Sequence, residues 1–361
     1  AGISISALTN QGLFKNAKAA QNATEKAEKE QGQRLNEYED EINKYLNNAN
    51  EDEKIGLITD NINKELSKTD NTKLKDEKGN RIVVPAGFKI VDGATTVDKG
   101  IVIEDVTETA TKGSQFVWIP VGTITKSNGT TATITLGRYD FDSTTGVESA
   151  YSGTYVEEDS NDSSTLKKYG NTIAKNITKF KNSVATNGGY YIGRYEARTA
   201  TARNAAGNAL TQITEKGTEN VYNYVTQLQA AKLSQNMYNS DKFTSDLMNS
   251  YAWDTATVFI QNCGTNAKYS RQNSLNTSLL QTGTNSLTDT SKIDVQCNIY
   301  DMASNIWEWT TETSNISNGP CVVRGGNYGY SSDYTSIRSN GISTSYSDFR
   351  MGFRPLLYVN V

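Results

Sequence analysis

The chain has 361 residues, a formal net charge of −4 and no histidine. This length suffices for one large domain with an appendage, and the acidic balance argues against a nucleic-acid-binding surface, which would need a basic face. The absence of histidine removes the commonest general base and the commonest zinc ligand, and it excludes a Ser-His-Asp triad.

Residues 1–50 are predicted to form an N-terminal helix. Apolar residues recur at Leu35, Tyr38, Ile42 and Tyr45, a spacing typical of one helical face. The helix could pack on its own domain. The opening stretch AGISISALTNQGLFKNAKAA resembles the segment that follows the membrane helix of type IV pilin-like proteins of Gram-positive bacteria. That resemblance implies an extracellular protein at the cell surface or pilus tip, contacts with pilin-like subunits through this helix, and membrane anchoring through a segment absent from this chain.

Residues 51–80 are predicted to be a connector, and residues 81–115 a small β region. The connector is charged and rich in asparagine, with one short helix predicted around Ile55 to Leu66. It ends at a Gly-Asn pair that favours a turn. The β region consists of short β-branched and aromatic runs separated by glycine or proline, which predict strands.

A large domain is predicted over residues 116–361, with an insertion at about 121–186. Threonine-rich strands around residues 130–136 lie in the insertion, and a polar span follows them. In that span, the run from Asp140 to Glu148 places carboxylates around a glycine. This run could be a calcium-binding loop or an ordinary solvated turn.

Two helices are predicted further along the large domain. Thr226 can cap the first, which carries Ala231 and Met237, and residues 251–260 have the composition of a second, more buried helix. Glu196 precedes both helices and follows a β-rich run. Its carboxylate could make an internal ion pair or contact a ligand.

The three cysteines, Cys263, Cys297 and Cys321, are widely separated. Their spacing matches no zinc motif. One disulfide with one free thiol and three free thiols are both open, so cysteine usage does not identify the compartment.

Three spaced motifs occupy the C-terminal part of the chain. They are NIYDMASNIWEW at 298–309, VRGGNY at 323–328 and FRMGFRP at 349–355. Their order and separation resemble the YDMxGNVWEW, RGGSW and GFR blocks of the formylglycine-generating-enzyme type of C-type-lectin fold. The resemblance runs from about Phe116 to Tyr358. It implies an α+β fold in which a C-type-lectin-like domain is preceded by a long N-terminal helical stalk.

The resemblance also implies which motif residues support the fold. These structural residues are Trp307, Trp309, Arg324, Gly325, Gly326, Gly352, Phe353 and Arg354. In the family, the first block can lie near a structural calcium ion, so Asn305 and Glu308 could be its ligands. No other metal or cofactor is expected.

The enzymes of the family hold copper with two thiols shortly after the RGG block, and thiolates suit Cu(I). Aligning the blocks places Tyr330 and Thr335 at those two positions, whereas Cys321 precedes Arg324. An oxidase of the sulfatase-modifying type would therefore lack its reactive atoms. The sequence predicts a protein that is not an enzyme.

The segment between the second and third motifs has the composition of an antibody binding loop, in which tyrosine gives large, rigid contacts and small polar residues adapt their hydrogen bonds. Variable proteins of diversity-generating retroelements carry their hypervariable region at this position of the fold, and an invariant surface rich in serine and tyrosine is the alternative. The predicted ligand-binding residues are Asn327, Tyr328, Tyr330, Ser331, Ser332, Asp333, Tyr334, Ser336, Ser339, Asn340, Ser343, Ser345, Tyr346 and Asp348.

These observations predict a non-catalytic, surface-displayed ligand-binding protein, a pilus-associated adhesin-like receptor with its binding face at residues 327–348. The expected partner is a protein or glycan on another cell, a phage or a host surface, and no nucleic acid is expected. A structural minor pilin with a lectin-like tip domain is the alternative function.

Overall fold

The structure is a computed structural model. It describes residues 15, 17–27, 29, 31, 56–58, 66–91, 93–157, 176–205, 212–280, 293–330 and 332–361. The chain divides into two compact units, Ala1–Ile55 and Gly56–Val361. Within the described ranges, no helix combines the length and the apolar character needed to cross a membrane.

The fold is mostly β, so the predicted α+β fold with a long N-terminal helical stalk is wrong. Strands account for 32% of the structure, and helix in the described part of the chain is limited to four short segments. In the first unit, the described helical residues all fall within residues 15–31. The apolar positions from Leu35 to Tyr45 lie outside the described residues. A helical period identifies a shared face, but it does not fix the length of a helix, which depends mostly on packing.

The second unit contains the strands and the remaining helices. The strands are β1 (Gly56–Leu57), β2 (Thr72–Lys75), β3 (Arg81–Val84), β4 (Phe88–Val91), β5 (Val102–Asp105), β6 (Gln115–Pro120), β7 (Gly122–Thr125), β8 (Thr131–Ile134), β9 (Tyr139–Phe141), β10 (Glu148–Ala150), β11 (Gly189–Gly193), β12 (Arg198–Thr199), β13 (Asn220–Val221), β14 (Phe243–Leu247), β15 (Val295–Gln296), β16 (Ile299–Tyr300), β17 (Trp307–Thr313), β18 (Cys321–Arg324), β19 (Ser339–Ile342), β20 (Met351–Phe353) and β21 (Pro355–Val359). The helices are α1 (Ile177–Asn187), α2 (Gln227–Met237) and α3 (Ser250–Cys263).

A six-stranded antiparallel sheet runs through the second unit in the order β14-β21-β11-β6-β5-β4. Its strands are rich in β-branched and aromatic residues, which fit a pleated, buried surface. The predicted boundary at residue 116 falls inside this sheet, because β4 and β5 belong to it together with β6. The helix predicted around Ile55 to Leu66 is corrected at Gly56–Leu57, which forms β1 and pairs in parallel with β2.

The three helices pack against the sheets. Thr226 caps α2 with a full capping box, because its hydroxyl accepts from the Gln229 amide and the Gln229 side chain accepts from the Thr226 amide. Helix α3 includes the predicted residues 251–260 and is buried along most of its length. Both predicted helices are therefore confirmed. Helix α1 was not predicted, and it lies at the end of the proposed insertion.

The insertion contributes two hairpins, β7 with β8 and β9 with β10. The predicted threonine-rich strand corresponds to β8. Between β9 and β10, one carboxylate oxygen of Asp142 accepts from the amides of Thr144 and Thr145. The Asp140–Glu148 run is thus a turn capped by its own aspartate.

A second, four-stranded sheet brings the three motifs together in the order β19-β18-β17-β20. The last residues of the first motif begin β17, the first residues of the second motif end β18, and the third motif contains the whole of β20. Glu308 on β17 lies opposite Arg324 on one side and opposite Gly352 on the other. Residues 327–348 therefore lie between β18 and β20, the two neighbours of β17, and include the edge strand β19, which pairs with β18.

Candidate functional site

The glycines of the second motif let the backbone approach the first motif closely. A Cβ atom at Gly325 would lie 2.7 Å from the Met302 carbonyl oxygen, and one at Gly326 would lie 2.6 Å from the Ala303 carbonyl oxygen. Gly325 also has a φ of 74°, a backbone conformation that favours glycine. These contacts fix the start of the segment 327–348 against the turn that precedes β17.

The third motif is fixed by a buried ion pair. The Arg354 guanidinium donates to both carboxylate oxygens of Glu308, at 2.7 and 3.2 Å, and neither residue is exposed. Burial raises the pKa of Glu308, and the positive charge of Arg354 opposes that shift. The pair holds β20 beside β17 and so fixes the end of the segment.

The residues proposed as calcium ligands do not fit that role. Arg354 already occupies both oxygens of Glu308. The Asn305 side-chain oxygen accepts from the Leu280 amide, and its nitrogen donates to Glu196 at 2.5 Å. A calcium ion needs several free oxygens. Among the described residues, no cluster of three or more acidic or cysteine side chains could hold a metal ion.

Glu196 supports the turn before β17 from inside the protein. Its side chain is fully buried and accepts from the Asn305 side chain and from the Ile306 amide. Burial raises its pKa well above the ordinary value for glutamate. Of the two roles considered for Glu196, these contacts fit the internal one.

Asp301 lies in the same buried region, and its carboxylate has no hydrogen-bond partner among the described residues. It is 1% exposed and adopts a φ of 61°. Burial, reinforced by the negative charge of Asp294, raises its pKa to about 7. Asp301 is therefore a destabilising group when it is ionised.

A second ion network holds the middle of the segment. Buried Arg324 pairs with Asp254 at 2.5 Å and donates to the Ile337 carbonyl at 2.8 Å. Arg338 pairs with Asp254 and, at 2.9 Å, with Glu312. The backbone at residues 337–338 is thus attached to the core at both arginines.

The exposed part of the site is a cluster of aromatic rings around Arg350, which we name the aromatic strip and define as Tyr224, Trp307, Tyr328, Tyr330 and Phe349. The Trp307 and Tyr330 rings are stacked at 5.1 Å, and Phe349 is 6.4 Å from both Tyr224 and Tyr328.

The Arg350 guanidinium lies 4.9 to 5.9 Å from the rings of Trp307, Tyr330 and Phe349. It also pairs with Asp348 at 3.2 Å. Partial burial alone would raise the pKa of Asp348, but the hydrogen bonds from Arg350 hold that pKa below its ordinary value. Arg350 therefore fixes the rings of the strip relative to one another through cation–π contacts.

Two buried polar residues support the strip from below. The Trp307 indole N–H donates to Asp333 at 2.8 Å, and the Gly329 amide donates to the Asn327 side chain at 2.8 Å. Asn327 is fully buried and Asp333 is 9% exposed. Both were predicted to touch a ligand, but their position makes them supports of the loop. Ser336 is likewise buried, because residues 335 and 336 form backbone hydrogen bonds with Gln272 and Ser270.

The remaining predicted ligand-binding residues lie at or near the surface. Tyr330, Ser332, Ser345 and Tyr346 are exposed; Tyr328, Tyr334, Ser339, Asn340, Ser343 and Asp348 are half-buried; and Ser331 lies outside the described residues. Of the predicted structural residues, Trp307 is half-buried, and Trp309, Arg324, Gly325, Gly326, Gly352, Phe353 and Arg354 are buried.

Sequence reasoning missed several residues of the site. Phe349 and Arg350 are the first two residues of the third motif, and a phenylalanine beside an arginine directly after the tyrosine-rich segment could have marked them. Tyr224 gives no local signal, because it reaches the strip through a backbone hydrogen bond from its amide to the Asp348 carbonyl. Arg271 lies over the Tyr334 ring at 3.5 Å, again across a large separation in sequence.

None of the three cysteines forms a disulfide bond. Burial raises the pKa of Cys263 to about 12 and also raises that of Cys297, so neither is a reactive thiolate at neutral pH. Cys321 is buried in β18.

Comparison of the chain with protein-family models, with curated proteins and with solved structures finds no match.

Proposed function

We propose that this chain is a non-catalytic, surface-displayed ligand-binding protein, a pilus-associated adhesin-like receptor whose binding face comprises residues 327–348 and the aromatic strip. One observation carries the proposal: Tyr330, Tyr346 and Phe349 are 43%, 39% and 39% exposed, although each is a large aromatic residue. Exposed aromatic side chains that cluster on one face are typical of interaction sites.

The rigidity of the support favours the same function. The close glycine contacts and the Arg354–Glu308 pair fix the two ends of the segment, and Arg324 fixes its middle. A binding surface that is ordered before it meets its ligand loses less entropy on binding. The aromatic rings provide the contact area, and the serines around them provide adaptable hydrogen bonds.

The proposed absence of catalysis rests on the residues at the positions where the resembling enzymes carry copper-binding thiols. Those positions are Tyr330, an exposed phenol, and Thr335, which is buried and donates its amide to the Gln272 carbonyl. Neither side chain can replace a thiolate ligand of Cu(I).

Display at a cell surface or pilus, and variation in the manner of a retroelement variable protein, are supported by the two sequence resemblances. The neighbouring DNA tests the second. A reverse-transcriptase gene and a near-copy of the 3′ coding segment, differing mainly at adenines, are expected. Their absence would leave an invariant binding face.

The binding function is tested with a fluorescently labelled chain applied to a panel of intact bacteria, phage particles and host cells. The variants are Tyr330→Ala combined with Phe349→Ala, and the control Ile316→Ala. Ile316 is 41% exposed but lies beyond the opposite end of β17. We expect the wild type and the control to label the same target and the double variant to lose it.

Equal labelling by the double variant would contradict the proposed face. The alternative, a structural minor pilin, rests on the pilin-like sequence of residues 1–20. It predicts that the double variant impairs filament assembly and leaves target labelling unchanged.

A further inference from the structure

A groove of about 440 Å³ separates the insertion from the binding segment, and we name it the insertion groove. Its insertion side includes Phe141, Tyr151 and Tyr155, and its other side includes Arg271, Tyr334 and Arg338. The volume lies within the range of about 300–1,000 Å³ that is usual for ligand sites. None of the functions considered so far uses the insertion.

Arg271 provides a fixed positive charge in this groove. Its guanidinium carbon lies 3.5 Å from the centre of the Tyr334 ring, and its backbone belongs to the 3-10 turn Tyr269–Arg271. A β-bridge between Asn273 and Tyr334 holds the two chain segments together. Among the described residues, no carboxylate forms a salt bridge with this guanidinium, and the exposed Asp142 interacts with it only at longer range.

The groove also lies over an ion network with an excess of positive charge. Three arginines, Arg138, Arg324 and Arg338, share two carboxylates, Asp254 and Glu312. Two of these guanidiniums, those of Arg138 and Arg338, lie 4.3 Å from the centre of the Tyr151 ring, which lines the groove.

Three acidic residues near the groove oppose this excess: Asp140, Glu157 and the exposed Asp142, whose charge interacts with that of Arg271. Asp140 lines the groove, and one of its oxygens is held by two hydrogen bonds from Ser152. Glu157 adjoins Glu312, and burial together with the charge of Glu312 raises its pKa to about 7, so it is only partly ionised at neutral pH. The groove therefore combines aromatic walls with the guanidinium of Arg271.

We propose that the insertion groove binds an acidic side chain, aspartate or glutamate, of a protein ligand, with Arg271 as the carboxylate-binding residue. Arginine presents parallel N–H donors that match a carboxylate, and stacking on Tyr334 orients them in advance. The rings of Phe141, Tyr151 and Tyr155 can contact the apolar stem of the acidic residue.

This proposal rests on the proposed binding function and names the ligand chemistry of that face. The groove joins the aromatic strip along the chain, because Asp333 supports Trp307 and Tyr334 follows directly. Tyrosine, tryptophan and arginine together are typical of the centres of protein interfaces, which favours a protein over a sugar acid.

The probe is an array of peptides of mixed sequence that carry Glu, Gln or Lys at a fixed central position. The full chain is applied as wild type, Arg271→Gln and Lys268→Gln. Lys268 undergoes the same charge change only three residues away, but it is exposed and contacts the Thr144 carbonyl instead of the groove. Glucuronic acid is added as a competitor in a parallel series.

We expect the wild type and Lys268→Gln to prefer the Glu peptides, and Arg271→Gln to lose about tenfold in affinity for them, as removal of a charge-assisted pair should. Asp140→Asn should strengthen the same binding, because it removes an opposing charge. Equal binding of Glu and Gln peptides by the wild type would overturn the proposal, and so would stronger binding of glucuronic acid than of any peptide.

The two proposals fail in different ways. If Tyr330→Ala abolishes peptide binding and Arg271→Gln does not change it, the binding face stands and the groove has no role. If Arg271→Gln weakens binding of Glu peptides while the aromatic-strip double variant still labels its cellular target, the groove is a binding site and the aromatic strip is not part of the binding face.

Discussion

The indole nitrogen of Trp307 lies 2.8 Å from a carboxylate oxygen of Asp333, so the first sequence motif and the binding segment share a partly buried hydrogen bond. The same indole stacks on Tyr330. One residue thus joins the interior of the loop to its exposed surface, and this link can be tested by removing the acceptor.

Replacing Asp333 with alanine should destabilise the protein by about 1–2 kcal/mol, because the Trp307 N–H loses its partner at a mostly buried site. Asp333→Asn keeps an acceptor oxygen and should cost less. Thermal unfolding measures the stability, and near-ultraviolet circular dichroism reports the Trp307–Tyr330 stack. A spectrum of Asp333→Ala identical to that of the wild type would show that the stack does not depend on this bond.

Gly325→Ala should destabilise the protein by about 2 kcal/mol or more, because the new Cβ atom would lie 2.7 Å from the Met302 carbonyl oxygen at a φ of 74°. Gly341→Ala is a matched control. Its φ is 79°, but no atom lies within 4 Å of the added Cβ, so only about 1 kcal/mol of backbone strain is expected. Chemical denaturation of both variants separates backbone strain from steric contact. Equal losses of stability in the two variants would contradict a close approach of Gly325 to the Met302 carbonyl.

Asp301→Asn should stabilise the protein at pH 8 by about 2–4 kcal/mol and have little effect at pH 4. Folding raises the pKa of Asp301 from 3.8 to about 7, so its contribution to stability is complete below 3.8 and is lost as the pH rises through about 7. Asparagine also tolerates the φ of 61°. Denaturation at both pH values is the measurement. Lower stability of the variant at pH 8 would mean that the ionised carboxylate is needed.

Glu308→Gln should cost about 3–5 kcal/mol, because it leaves the Arg354 charge buried without a counter-charge. Asp70→Asn makes the same chemical change in an exposed pair with Lys242 and should leave the unfolding midpoint unchanged. Urea denaturation compares the two variants directly. If Glu308→Gln is as stable as the wild type, the hydrogen bonds from Arg354 to the Gly193 and Tyr300 carbonyls suffice to hold Arg354.

Local signals in the sequence predicted local structure well. Thr226 and the residues that follow it carry a complete helix start, and residues 251–260 are apolar enough to indicate a buried helix. The three motifs indicated a common support for the segment 327–348, and their strands are indeed neighbours. The prediction of a long N-terminal helical stalk was wrong, because an amphipathic period does not show how far a helix extends.

Long-range contacts account for most of what the sequence did not indicate. Tyr224 and Arg271 join the site only because the fold brings them beside Phe349 and Tyr334. Composition also could not separate contact from support within the segment. Asn327 and Asp333 are polar and look like surface residues, but both are buried, and they accept hydrogen bonds from the Gly329 amide and the Trp307 indole respectively.

The two strands that flank the segment 327–348 are both hydrogen-bonded to β17, on opposite sides of it. The distance that the segment must span is therefore set by the sheet and does not depend on the outward-facing side chains. Such a surface can evolve by exchanging one amino acid for another far more readily than by gaining or losing residues. Diversity at this site should appear among relatives as substitutions at constant length.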